Sequence, residues 1–147
     1  MILSTTSDLV RVITGSAGTI ECRADWADIT TTAFSPGRTN TADITTATTT
    51  TIVAAPAAST QRQVKSIYIN NSHASTSNLI TVVHTDGTTI VPVWKGTLLP
   101  GERAVYNGAE WIRYNSEGTP VTVGNSAPSD LQVFTTAGAG TWTKPTS

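Results

Sequence analysis

The chain is 147 residues long, enough for one core of ordinary size and too short for two full ones. Charged residues make up 13% and hydrophobic residues 38%, so the surface must be built largely of Thr, Ser, Asn and Gly, groups that are cheap to desolvate against another copy of the same chain. A net charge of −1 leaves no basic footprint and argues against a nucleic-acid partner.

In chain order, Met1–Ser7 lacks a basic segment and a long apolar run, so no signal peptide is expected. No stretch is apolar for long enough to span a bilayer, and the chain is expected to be made in a cytoplasm with no membrane partner. The pattern predicts a first strand over Asp8–Thr14, a turn at Gly15–Gly18 and a second strand over Thr19–Ile29. In that second strand Ile20, Cys22, Ala24 and Trp26 share one face and Glu21, Arg23 and Asp25 the other, a period of two with one buried side. Cys22 is the sole cysteine, so no disulfide can form within one chain, and it reads as a small buried hydrophobe.

Thr30–Thr51 is crowded with Thr and interrupted by Ser35-Pro36-Gly37. It reads as a loop followed by edge strands ending in Thr50–Ala55, or else as an extended arm ordered only against a partner. Strands follow over Arg62–Asn70, Leu79–Thr85 and Thr88–Lys95; Pro92 marks the last as an edge or bulged strand. Asp86-Gly87 predicts a type I′ hairpin, and Asn107-Gly108 a second one between Arg103–Tyr106 and Glu110–Tyr114. Leu99–Glu102 is another turn. The fold class expected is all-β, an antiparallel, jelly-roll-like sandwich over residues 1–115. Residues 116–130, rich in Gly, Ser and Pro, read as a linker, and 131–147 as an extended C-terminal segment that starts a second module or docks elsewhere.

Signs of catalysis are sparse. His73 and His84 fall short of a zinc set, and the scattered carboxylates include no calcium loop. A His84–Asp86 pair on one strand face would mimic part of a triad, but no nucleophile elbow accompanies it. Neither a P-loop nor a dinucleotide fingerprint is present. The expectation is a protein that is not an enzyme and takes no metal or cofactor. The aromatics Tyr68, Trp94, Tyr106, Trp111 and Tyr114 crowd the second half. They serve as core and cross-strand pairs, or Trp94 and Trp111 form a stacking platform for sugar, which requires two aromatics exposed on one face.

Two stretches carry a resemblance. Arg62–Arg113, from RQVKSIYINNSH through LITVVHTDGTTIVPVWKGTLLPGERAVYN to EWIR, with the Thr-rich run TNTADITTATTTTIVAAPAAS before it, resembles a module recurring in virion proteins of tailed bacteriophages. VFTTAGAGTWTKP resembles the opening of the glycine-rich domain near the ends of phage tail fibres. The resemblance implies an oligomeric, often trimeric, base or anchor domain of a fibre or spike, attached to tail or head. Partners would be copies of the chain and other capsid or tail proteins, and the location the virion, after synthesis in the bacterial host. A capsid decoration protein and a carbohydrate-binding module are the alternatives. No catalytic residue carries over. Interface candidates are Leu131, Val133, Phe134 and Trp142 in the tail and Thr48 and Thr50 in the Thr-rich run.

Overall fold

A computed structural model describes residues 1–121. Ten strands run in chain order: β1 (Ile2–Leu3), β2 (Leu9–Thr14), β3 (Ile20–Ile29), β4 (Phe34–Ile44), β5 (Thr49–Val53), β6 (Gln61–Asn71), β7 (Asn78–Thr85), β8 (Ile90–Leu98), β9 (Arg103–Tyr106) and β10 (Trp111–Tyr114). All pairings are antiparallel. One sheet of six strands has the order β10-β9-β6-β3-β4, with β1 also pairing β6; the other has four strands in the order β5-β2-β7-β8. The chain is all-β, as its sequence pattern implies, and among the described residues no helix is long and apolar enough to cross a membrane.

The two sheets share one core. Ile20, Cys22 and Ala24 of β3 and Val64, Ile67 and Ile69 of β6 meet Val10 and Val12 of β2, Ile80 and Val82 of β7 and Leu98 of β8. Strict alternation selects these side chains, since residues two apart on a strand face the same way. Two buried asparagines lock the connections. Asn71 donates to the carbonyls of Thr76 and Leu98, both at 2.9 Å, and accepts from the His73 amide at 3.2 Å. Asn78 accepts from the Gly15 and Ser16 amides and donates to the Ser16 carbonyl at 2.8 Å. Each buried amide group is thereby satisfied, which makes it tolerable inside an apolar core.

The structure departs from the sequence reading in three places. Phe34–Ile44 is a continuous edge strand paired along β3, so the edge strands that the Thr-rich run implies are present but begin at Phe34, where the sequence reads as a loop, and the run is not a free arm. Pro36 is tolerated because β4 has a neighbour on one side only. Gly37 is tolerated because the Trp26 ring lies over it: a β-carbon there would stand 2.7 Å from two ring atoms. The two Gly hairpins are four-residue loops rather than two-residue type I′ turns, since Thr85 pairs with Ile90 and Tyr106 with Trp111. In each, the side chain of the first residue captures the chain. Asp86 Oδ1 accepts the amides of Thr88 (2.9 Å) and Thr89 (2.7 Å), and Asn107 Oδ1 those of Ala109 (3.0 Å) and Glu110 (2.9 Å). Within these two loops only the glycines, Gly87 at φ 94° and Gly108 at φ 96°, take the left-handed conformation. Finally, Asn115–Thr119 forms a turn that brings Pro120 back beside Tyr114, so the first residues of the stretch read as a linker fold onto β10.

Candidate functional site

The candidate interface and stacking residues fall in different places. Leu131, Val133, Phe134 and Trp142 lie outside the described residues. Thr48 and Thr50 sit on the β5 edge. The Thr48 carbonyl accepts from the Thr14 amide at 2.9 Å, and Thr50 pairs with Val12. Trp94 of β8 and Trp111 of β10 come from different sheets and stack on each other, with ring centres 5.4 Å apart and planes 24° from parallel. Tyr106 packs on Trp111 at a further 5.4 Å. Both indoles are half-buried against the core, so they close the side of the sandwich where β8 and β10 meet. One face of each ring is taken up by the other, which leaves no side-by-side pair of exposed rings for a sugar. Gly96 permits this arrangement: a β-carbon there would stand 2.8 Å from the Trp94 ring.

His84 is not joined to Asp86. Its strand position pairs with Val10, and its Nε2 lies 3.8 Å from Asp8 Oδ1, buried and without a hydrogen bond. Burial opposes ionisation of Asp8. The Ser4 and Thr5 amides, at 2.6 and 3.0 Å from Oδ2, outweigh it and hold the carboxyl below the usual carboxylate range, with His84 adding a small push the same way. The carboxylate is thereby committed to tying the chain before β2. At the same end of the sandwich, Arg62 donates to both Asp28 oxygens at 2.7 and 2.9 Å and lies 3.6 Å over the Trp26 ring. The Arg62 guanidinium holds Asp28 below its ordinary value. Among the described residues no three His, Cys, Asp or Glu side chains gather to hold a metal ion.

The outer faces of the two sheets differ sharply. The strands of the four-stranded sheet contain no Asp or Glu, and their only Lys and Arg are Arg11 and Lys95. Since Val12 and Val82 face the core as a pair, register turns Leu9, Arg11 and Ile13 of β2 and Leu79, Thr81 and Val83 of β7 outward. Leu79 is 43% exposed and Ile90, at the start of β8, 58%, while Leu9 and Ile13 are half-buried and Val83 is buried. The two central strands of this sheet are therefore largely apolar on the outer face as well, with Arg11 and Thr81 as the polar exceptions, a pattern that approaches that of sheets covered on both sides. Sequence reasoning passed over this signal, which is visible in the nearly unbroken apolar run Leu9–Ile13.

The outer face of the six-stranded sheet is charged and polar. Cross-strand neighbours bring together Arg23, Tyr68 and Asn40 in one row, Glu21 and Asn70 in the next, and Asp25, Ser66 and Arg38 on the other side. Arg23 donates to Asp25 at 2.8 and 3.1 Å, Ser66 donates to Asp25 at 2.9 Å, and Asn70 donates to Glu21 at 3.0 Å. Partial burial of Asp25 opposes ionisation, but the Arg23 and Ser66 hydrogen bonds outweigh it and lower its pKa. Set beside known proteins, the chain matches no family model, no curated protein and no solved structure.

Proposed function

We propose that the chain is a structural assembly domain of a tailed-phage virion, the base or anchor of a fibre or spike, which associates with copies of itself through the outer face of the four-stranded sheet. The observation that carries this reading is the largely apolar outer face of β2 and β7. Leu9, Ile13 and Leu79 face outward on a surface whose strands hold no carboxylate. Burying such a face returns roughly 25 cal/mol per Å² of apolar area, and its low charge keeps the desolvation penalty small.

Edge pairing is hindered at three of the four sheet edges, while the β5 edge carries no proline and remains open to it. β4 carries Pro36 and a register shift near its C-terminal end, and β8 carries Pro92 and a register shift beside it. The return of residues 119–121 lies beside β10. Such devices block strand addition by a second chain. We take a face-to-face contact through the β2–β7 surface as the route to an oligomer, with the domain working by binding rather than by catalysis. Phage particles purified from a culture carrying this sequence test the reading. The chain should co-sediment with them and resist release by salt, whereas recovery only in the soluble lysate refutes it.

A further inference from the structure

We propose that the outer face of the six-stranded sheet, opposite the assembly face, is a binding site for a neutral oligosaccharide, in which Tyr68 is a single stacking ring and the polar side chains around it take the place of the second ring that a purely aromatic platform requires. Tyr68 sits in the middle of β6, between β9 and β3, yet it is 44% exposed. Its cross-strand neighbours are Val105 on one side and Arg23 on the other. A groove of about 310 Å³ runs beside it, lined by Glu21, Arg23, Asn40, Asp43, Tyr68 and Asn70. The groove is open to solvent rather than enclosed, a shape suited to an extended ligand lying across the sheet.

The chemistry selects the ligand class. A sugar ring presents an apolar face of C–H groups and a rim of hydroxyls. The first matches an exposed phenol ring, and the second matches planar carboxylate, amide and guanidinium groups, which bond hydroxyls in pairs. These polar groups are fixed in advance: Asn70 is held by Glu21, and Arg23 by Asp25. Pre-organised donors and acceptors lose little freedom on binding. The side chains of Asn40 and Asp43 are exposed at the groove, and among the described residues the Thr41 hydroxyl, also beside it, is buried without a hydrogen bond. The β4 register shift between Thr41 and Ile44 places Asp43 at the groove rather than in the alternating row. Charges balance around the groove, with Glu21, Asp25 and Asp43 against Arg23, Arg38 and the nearby Arg103, which selects an uncharged glycan over an acidic one.

The experiment is an amide-resolved NMR titration of the full chain with neutral hexasaccharides of glucose (α- and β-linked), galactose, mannose and N-acetylglucosamine, beside a sulfated and a carboxylated chain as controls. At least one neutral probe should shift the amides of residues 21–25, 38–43 and 66–70 and leave β2 and β7 still. Tyr68→Ala should weaken that binding about tenfold, the worth of one aromatic stacking contact, and Asn40→Ala should weaken it several-fold, with unchanged circular dichroism. Three outcomes overturn the proposal: no neutral probe shifting this face at millimolar concentration, binding confined to the acidic chains, or binding that survives Tyr68→Ala.

Discussion

Replacing a strand glycine by alanine ordinarily stabilises a sheet by about 0.5–1 kcal/mol, because glycine loses the most backbone freedom on folding. At Gly37 the opposite sign is expected. The added methyl would stand 2.7 Å from Cζ2 and Cζ3 of Trp26, so the indole must move. Two contacts go with it: the Trp26 Nε1 hydrogen bond to Thr39 Oγ1 at 3.3 Å and the Arg62 guanidinium lying 3.6 Å above the ring. A half-buried cation–π contact contributes roughly 1 kcal/mol, the hydrogen bond somewhat less, and overpacking costs about 1–3 kcal/mol. Set against the backbone gain, Gly37→Ala should destabilise by about 2 kcal/mol, which for a domain of this size lowers Tm by roughly 6–10 °C. Urea unfolding of Gly37→Ala, Trp26→Leu and the double variant measures it. The double variant should be more stable than the sum of the single losses implies, since with the indole gone the methyl has room. A neutral or stabilising Gly37→Ala, or strictly additive losses, would refute the argument.

Other expectations are more local. Asp28 and Asp8 both have folded pKa values below the ordinary aspartate value, the first through Arg62, the second through backbone amides that prevail over burial. Their stabilisation is therefore complete above about pH 3.9 and is lost as pH falls through the lower folded values. Asp28→Asn and Asp8→Asn should be less stable at neutral pH and show a flatter acid limb in urea midpoints; an unchanged slope would count against both assignments. Burial pushes the Cys22 thiol up to about 12, so it should ignore a disulfide reagent at pH 8 until the chain unfolds. Fast native-state labelling would contradict its place in the core. Asn71→Ala strands the Thr76 and Leu98 carbonyls and should cost about 2–4 kcal/mol in chemical denaturation, where a loss near zero would mean that water replaces the side chain.

Most strands were legible because each signal had one physical source. The alternation Ile20, Cys22, Ala24 marked a half-buried strand, and Pro92 marked β8, which is both an edge and bulged. β4 was legible only in part: the Thr-rich run implies edge strands, but Pro36 and Gly37 read locally as loop. What makes the segment a strand is distant in sequence, namely the β3 edge and the Trp26 ring over Gly37. Both hairpins are where the sequence places them, but their turn type was misread because the pattern weighs Gly for positive φ but not the carboxylate or amide of the residue before it, which holds two amides and lengthens the loop. The same limit applies to the sites. Tyr68 stood among five clustered aromatics, and only register separates it, facing outward beside Arg23, from Trp94 and Trp111, which face each other. The partner of His84 is Asp8 rather than Asp86, since pairing between β2 and β7 overrides nearness along the chain.

The central claim is association through the outer face of β2 and β7, and the solution mass of the full chain beside its Leu79→Glu variant tests it most directly. Placing a carboxylate in an apolar contact should weaken each contact by about 3 kcal/mol, two orders of magnitude in affinity. Size-exclusion chromatography with light scattering should show a discrete oligomer, a trimer, for the unaltered chain and a monomer with unchanged circular dichroism for Leu79→Glu. A monomeric unaltered chain, or an oligomer indifferent to Leu79→Glu, would contradict the account.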